Sequence, residues 1–207
     1  MFHFDITKEP LSNPELKAEL QSLKKIRKEL IKYSCISDVL HAFVFIGLYF
    51  SQFLSGYAVL VAVVLSTVFA LFLATVPRQS LKLADRIAIG AIALGTAVAT
   101  FLIINISMQQ PLTGSLVAGL TAGSIVIVGA TLGRKIKDIL LSIESVKPIP
   151  EDTVAQQELN YLCRKYPQLD EYREQATQNL RPHLSYGELA AMKKWMTEEQ
   201  QNKAEAV

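Results

Sequence analysis

No charged residue lies between Asp38 and Arg78, and none lies between Arg86 and Arg134. All 21 Lys and Arg and all 19 Asp and Glu of the 207-residue chain fall outside those two stretches, which hold a single histidine, His41. A helix that faces water carries polar and charged residues along one side, so uncharged runs of this length exclude an ordinary soluble fold. At about 1.5 Å per residue the first run makes a helix of roughly 60 Å and the second roughly 70 Å, each about twice the hydrocarbon core of roughly 30 Å. Each run must fold back once. The expected fold class is all-α and polytopic, with four transmembrane helices as two hairpins at about residues 36–54, 58–76, 87–106 and 115–132.

Other scarcities narrow the function. The chain has two cysteines, Cys35 and Cys163, with no Cys or His nearby at metal spacing, which predicts neither a disulfide nor a zinc site. It lacks a glycine loop followed by Lys, paired histidines of the zinc-protease type and a Gly-flanked Ser, so no cofactor and no catalytic set is expected. Its cations lack the interleaved aromatics and the strong net charge of a nucleic-acid binder, since the net charge is only +2. A secretory signal is not expected either, because residues 1–35 are polar and the first apolar run leads into a second span.

The charges that do occur are placed one-sidedly. They crowd into residues 1–38, the loop holding Arg78, Lys82, Asp85 and Arg86, and everything from Arg134 onward, whereas the turns at 51–57 and 107–114 have none. Lys and Arg stay preferentially on the cytoplasmic side, so both termini and the middle loop are expected there. Tyr49 and Tyr57 flank the first outer turn, at the headgroup level where amphipathic rings are stable. The stretch from Tyr166 to Trp195 has a bacterial cast, and the membrane expected is a bacterial inner membrane.

Before the first span, Asn13 and Pro14 read as a helix start. Leu16, Leu20, Leu23, Ile26 and Leu30 then recur at three- and four-residue steps among Lys17, Lys24, Lys25, Arg27, Lys28 and Lys32. This predicts a basic amphipathic helix in a cytosolic segment of residues 1–35, whose cations fix topology or rest on anionic headgroups. After the membrane domain of residues 36–134, residues 135–207 read as a small cytosolic helical tail. Pro148 and Pro150 punctuate it, and Ser185-Tyr186-Gly187-Glu188 has the form of a capping box. Three short helices with so few large apolar residues make a marginal core, so Trp195, Tyr172 and Tyr186 are candidates for a partner interface or for that core itself.

Inside the membrane domain three features invite a functional reading. Asp38 and His41 share a helix face and form a candidate ion or proton pair, or a structural pair with Asp38 held by Arg78, Lys82 or Arg86. Ser115, Gly119, Gly123, Gly129 and Gly133 form a small-residue ladder suited to close helix packing, within the chain or between copies. Ser66, Thr67, Thr96, Thr100 and Asn105 either line a polar path or bond across helices. The leading expectation is an inner-membrane scaffold or accessory subunit that meets the lipid bilayer and docks a cytosolic or membrane protein through its tail. A homo-oligomeric channel is the alternative, and a membrane enzyme using Asp38 and His41 the third reading.

Overall fold

The computed structural model describes residues 4–75, 82–178 and 181–205. Among them the secondary structure is helical: α1 (Asn13–Phe50), α2 (Gly56–Thr75), α3 (Lys82–Leu102) continued by a π turn (Ile103–Ser107), α4 (Leu112–Val146), α5 (Val154–Lys165), α6 (Pro167–Gln178) and α7 (Tyr186–Glu205). Four of these are long and apolar enough to cross a membrane, namely α1, α2, α3 with its π turn from Asp85 to Ser107, and α4. Pro77, Arg78 and Asn179 lie outside the described residues.

The basic N-terminal helix and the first span are one helix. Residues 15–46 contain neither Gly nor Pro, so nothing interrupts the backbone where the side chains turn from charged to apolar. The change in polarity near residue 36 marks a change of surroundings and not a helix end. α1 stops earlier than expected, at Phe50, because Gln52 enters the left-handed region at φ 60°. Its N–H bonds to the Tyr49 carbonyl at 3.0 Å and that of Phe53 to the Leu48 carbonyl at 3.0 Å, the paired bonds of a Schellman cap with Gln in the usual glycine place. Ser55 then caps α2 by accepting from the Ala58 N–H at 3.3 Å. α4 continues well past residue 132, where the fourth span was expected to end, and stops just before Pro148.

The chain divides into two compact units. One is Glu29–Lys137, the apolar helices. Its interior consists largely of small side chains: Ala58, Ala62 and Ala118 around Phe45, Leu54 and Ile104, then Ala93 and Ala130 with Leu73, Ile89 and Val126. Its large side chains point outward, with Leu60, Leu71, Leu94 and Leu120 each more than 60% exposed. In water a surface like that would drive aggregation, whereas hydrocarbon solvates it and leaves packing of small residues to hold the helices together. A membrane location follows from this inversion and from the four helix lengths.

The other unit is Met1–Lys28 with Asp138–Val207. α5, α6 and α7 enclose Leu159, Leu162, Cys163, Leu169, Tyr172, Leu189 and Met192, together with Ile149 and Leu184 from the connecting segments. Ile149 N–H bonds to the Leu184 carbonyl at 2.8 Å and Tyr186 N–H to the Lys147 carbonyl at 3.1 Å, so the segment after α4 pairs briefly with the one before α7. A second cluster joins Leu16, Leu20 and Leu23 of α1 to Ile139, Ile143 and Val146 of α4. The leucine stripe of the N-terminal helix is thus packed by protein, with Ile26 beyond it left exposed.

Candidate functional site

In the Glu29–Lys137 unit, Asp38 and His41 do not bond to each other. His41 Nε2 lies 2.8 Å from Ser124 Oγ on α4, and Nδ1 lies 3.4 Å from Ser37 Oγ. Ser124 Oγ also lies 2.8 Å from the Thr121 carbonyl, to which its hydroxyl can donate, and the tautomer of His41 sets which partner donates in the His41–Ser124 contact. Asp38 is exposed and forms no ion pair among the described residues. Of the cations expected beside it, Arg86 is exposed, Arg78 falls outside the described residues, and so does the side chain of Lys82.

Among the described residues of this unit an ion pair joins Asp85 to Arg134. Arg134 is buried, its Nε donates to the Leu73 carbonyl at 2.8 Å, and its Nη1 meets Asp85 in the first turn of α3. Lys137 adds a bond to the Thr75 carbonyl at 3.4 Å. Cations of α4 thus satisfy open carbonyls at the negative end of α2, while the carboxylate sits at the positive end of α3. Helix-end charge complementarity holds three helices at one point. At the other end Gln110 ties the two turns: its Oε1 accepts from Ser55 N–H at 2.8 Å, its Nε2 donates to Met108 O at 3.0 Å, and its carbonyl accepts from Asn105 at 3.2 Å.

The small-residue ladder is filled within the chain. A Cβ added at Gly119 would lie 2.6 Å from the Ala97 carbonyl oxygen, and one at Gly123 would lie 3.0 Å from the Ala97 Cβ, so α3 seats directly on α4 there. Cβ atoms at Gly129 and Gly133 would meet Ala70 at 2.9 Å and Ala74 at 3.0 Å on α2. Ser115 is buried and turns its hydroxyl back to the Pro111 carbonyl at 3.0 Å. The polar residues of the apolar helices do likewise: Ser66 bonds to Ala62 O and Thr96 to Ile92 O, both at 2.8 Å. Thr100 Oγ1 is buried without a partner among the described residues.

In the other unit, the capping box is the edge of a larger polar centre. Glu188 is fully buried, and its Oε2 accepts from Ser185 N–H at 2.7 Å, Ser185 Oγ at 2.8 Å and Arg181 Nη2. Its Oε1 accepts from Arg181 Nη1 at 2.9 Å and from Tyr172 OH at 3.0 Å. Arg181 also donates to the Leu11 carbonyl at 2.8 Å, which fastens the N-terminal segment. A buried ion pair persists only when its remaining hydrogen-bonding capacity is used, and here it is. Burial first, and then the adjacent Glu188 carboxylate, push the Tyr172 phenol well above its ordinary pKa.

Of the three candidate interface aromatics, Tyr172 is therefore core, with its hydroxyl engaged. Tyr186 is 41% exposed at the start of α7. Trp195 is half-buried, packs edge-on to Tyr166 at 5.8 Å between ring centroids, and lines an open groove of about 620 Å³. Phe4 and Leu141 provide apolar walls to that groove, with Lys194 and Glu198 beside them. Among the described residues no three His, Cys, Asp or Glu side chains gather to hold a metal. Comparison with family models, with curated proteins and with solved structures finds no match to this chain.

Proposed function

We propose that the protein is an integral membrane scaffold or accessory subunit that docks a partner protein through the unit formed by its N-terminal segment and tail. In this reading α1 with α2, and α3 with α4, form two membrane hairpins in a bacterial inner membrane, with both termini and the loop before Asp85 in the cytoplasm. The charge distribution supports that orientation, because every Lys and Arg falls in a segment assigned to the cytoplasm.

The observation that carries the docking reading is the groove beside Trp195. Its apolar walls are built on a unit with its own core, and Trp is the side chain most enriched where partners contribute binding energy. The Lys194 and Glu198 side chains supply polar groups beside an apolar floor, the composition of a protein interface. The test is a photoreactive residue placed at Lys194 in the full-length protein, cross-linked in cells and read by mass spectrometry. One dominant adduct, lost when Ala191→Trp fills the groove, is expected. No adduct above that of an uncross-linked control overturns the docking role.

A further inference from the structure

Within the Glu29–Lys137 unit, a crevice of about 300 Å³ opens among α1, α2 and α4, and its walls differ in chemistry. α1 contributes Ser34, Ser37, Asp38 and His41, whereas α2 and α4 contribute mostly apolar groups, among them Leu71 and Ile136. The volume lies at the lower end of the range for small-ligand sites, about 300 to 1,000 Å³.

The polar wall sets hydroxyls and an imidazole around one negative charge. The Asp38 carboxylate accepts only, and among the described residues it is the one acidic side chain lining the crevice. His41 sets Nε2 2.8 Å from Ser124 Oγ and Nδ1 3.4 Å from Ser37 Oγ. Ser34 and Ser37 add hydroxyl oxygens. No Lys or Arg among the described residues lines the space, so a phosphate or carboxylate would meet a like charge and no cation. A metal ion would need several carboxylate or imidazole ligands, and none gather among the described residues. What matches is an organic cation with several N–H donors on one end and hydrocarbon on the other.

We propose that this crevice binds a primary ammonium group carrying an apolar chain, with the ammonium against Asp38 and the Ser37 hydroxyl and the chain against α2 and α4. A charge-assisted N–H bond to a carboxylate is roughly twice as strong as a neutral one, and a bilayer supplies little competing water. The same chemistry occurs in an ethanolamine lipid headgroup and in a free long-chain amine. The inference stands apart from the docking role, since it concerns a different unit and a different class of ligand.

The test uses the full-length protein in a neutral detergent, with retained ligands counted by native mass spectrometry. The probes are dodecylamine against dodecanol, and phosphatidylethanolamine against phosphatidylcholine. Wild type is expected to retain an ammonium carrier over its hydroxyl or trimethylated counterpart by about tenfold or more, the factor worth about 1.4 kcal/mol. Asp38→Asn is expected to abolish the preference, and because Asp38 is exposed and unpaired among the described residues this change leaves the packing intact. Val128→Phe, which fills the crevice without touching the carboxylate, is expected to lower retention of both members of each pair. Preference for the lipid pair identifies a headgroup site, and preference confined to dodecylamine identifies a free-amine site. Equal retention within both pairs by wild type, or an unchanged preference in Asp38→Asn, overturns the proposal.

Discussion

Replacing Glu188 with Gln changes one atom, and it is expected to unfold the tail. Oε2 accepts from Ser185 N–H, Ser185 Oγ and Arg181 Nη2, and Oε1 accepts from Arg181 Nη1 and the Tyr172 hydroxyl. A Gln amide has one oxygen, so whichever way it is turned its NH₂ faces a guanidinium donor. The negative charge that balances Arg181 is lost at the same time, and Arg181 has only 3% of its side chain exposed to recover solvation. Removing one partner of a buried ion pair costs about 3 to 5 kcal/mol, and the weakened α7 cap adds up to about 1 more. A domain this small has on the order of 3 to 5 kcal/mol of stability, so most of it disappears. Because the chain holds a single tryptophan, Trp195, which borders this core, its fluorescence reports on this unit alone. The expected fall in the Trp195 melting midpoint is at least about 12 °C, from roughly 4 °C per kcal/mol. Burial raises the pKa of the Cys163 thiol and keeps it inert, so the same variant is expected to expose Cys163 to thiol reagents at temperatures where wild type does not react. Arg181→Met combined with Glu188→Leu removes both charges and is expected to recover about 1 to 2 kcal/mol of the single variant's loss. A Glu188→Gln protein that melts within about 3 °C of wild type refutes the reasoning.

Other consequences are as direct. The Tyr172 phenol has its pKa raised on folding, so it stays protonated in the folded unit at a pH where the unfolded chain ionises. Its contribution is complete below the ordinary tyrosine value of 10.0 and is lost as pH rises beyond it. The Trp195 midpoint should accordingly drop above about pH 10 in wild type and drop less in Tyr172→Phe. Gly119→Ala sets a Cβ 2.6 Å from the Ala97 carbonyl oxygen and is expected to cost about 1 to 3 kcal/mol. Gly95→Ala on α3 meets nothing within 4 Å and should be neutral or stabilising by up to about 1 kcal/mol. Monodispersity after heating in detergent ranks the two, and equal behaviour would contradict the packing described. Asp85→Asn leaves Arg134 with a 7% exposed side chain and no counter-charge, with an expected loss on the order of 3 kcal/mol by the same assay.

The spans could be read from the sequence because an ion in hydrocarbon is costly enough to leave its absence visible over long stretches. The Ser185–Glu188 box was legible for a different reason, being a reciprocal bond within four residues of chain. What surrounds that box was not legible, since Arg181 and Tyr172 reach Glu188 only after α6 and the segment before α7 have folded together. Asp85 and Arg134 were visible only as the charges that bound an apolar run. Their pairing depends on the end of α2 coming between them, which no local pattern encodes. Gln110 had no signal beyond being polar in a turn. The ladder on α4 was recognisable as a close-packing face, but the spacing is silent on which helix fills it. Assigning Gly119 and Gly123 to α3, and Gly129 and Gly133 to α2, needs three dimensions. Tyr172 shows the converse difficulty, because a tyrosine suited to an interface and one that anchors a buried carboxylate look identical in a sequence.

The proposal to test first is that of a four-span membrane protein with both termini on the cytoplasmic side. Single cysteines in a Cys35→Ser, Cys163→Ser background test it directly, with a membrane-impermeant maleimide applied to intact spheroplasts and to lysed ones. Gln52→Cys and Gln109→Cys are expected to label in intact spheroplasts, and Lys8→Cys and Lys194→Cys only after lysis. Labelling of Lys8→Cys or Lys194→Cys in intact spheroplasts, or protection of Gln52→Cys and Gln109→Cys until lysis, contradicts the account.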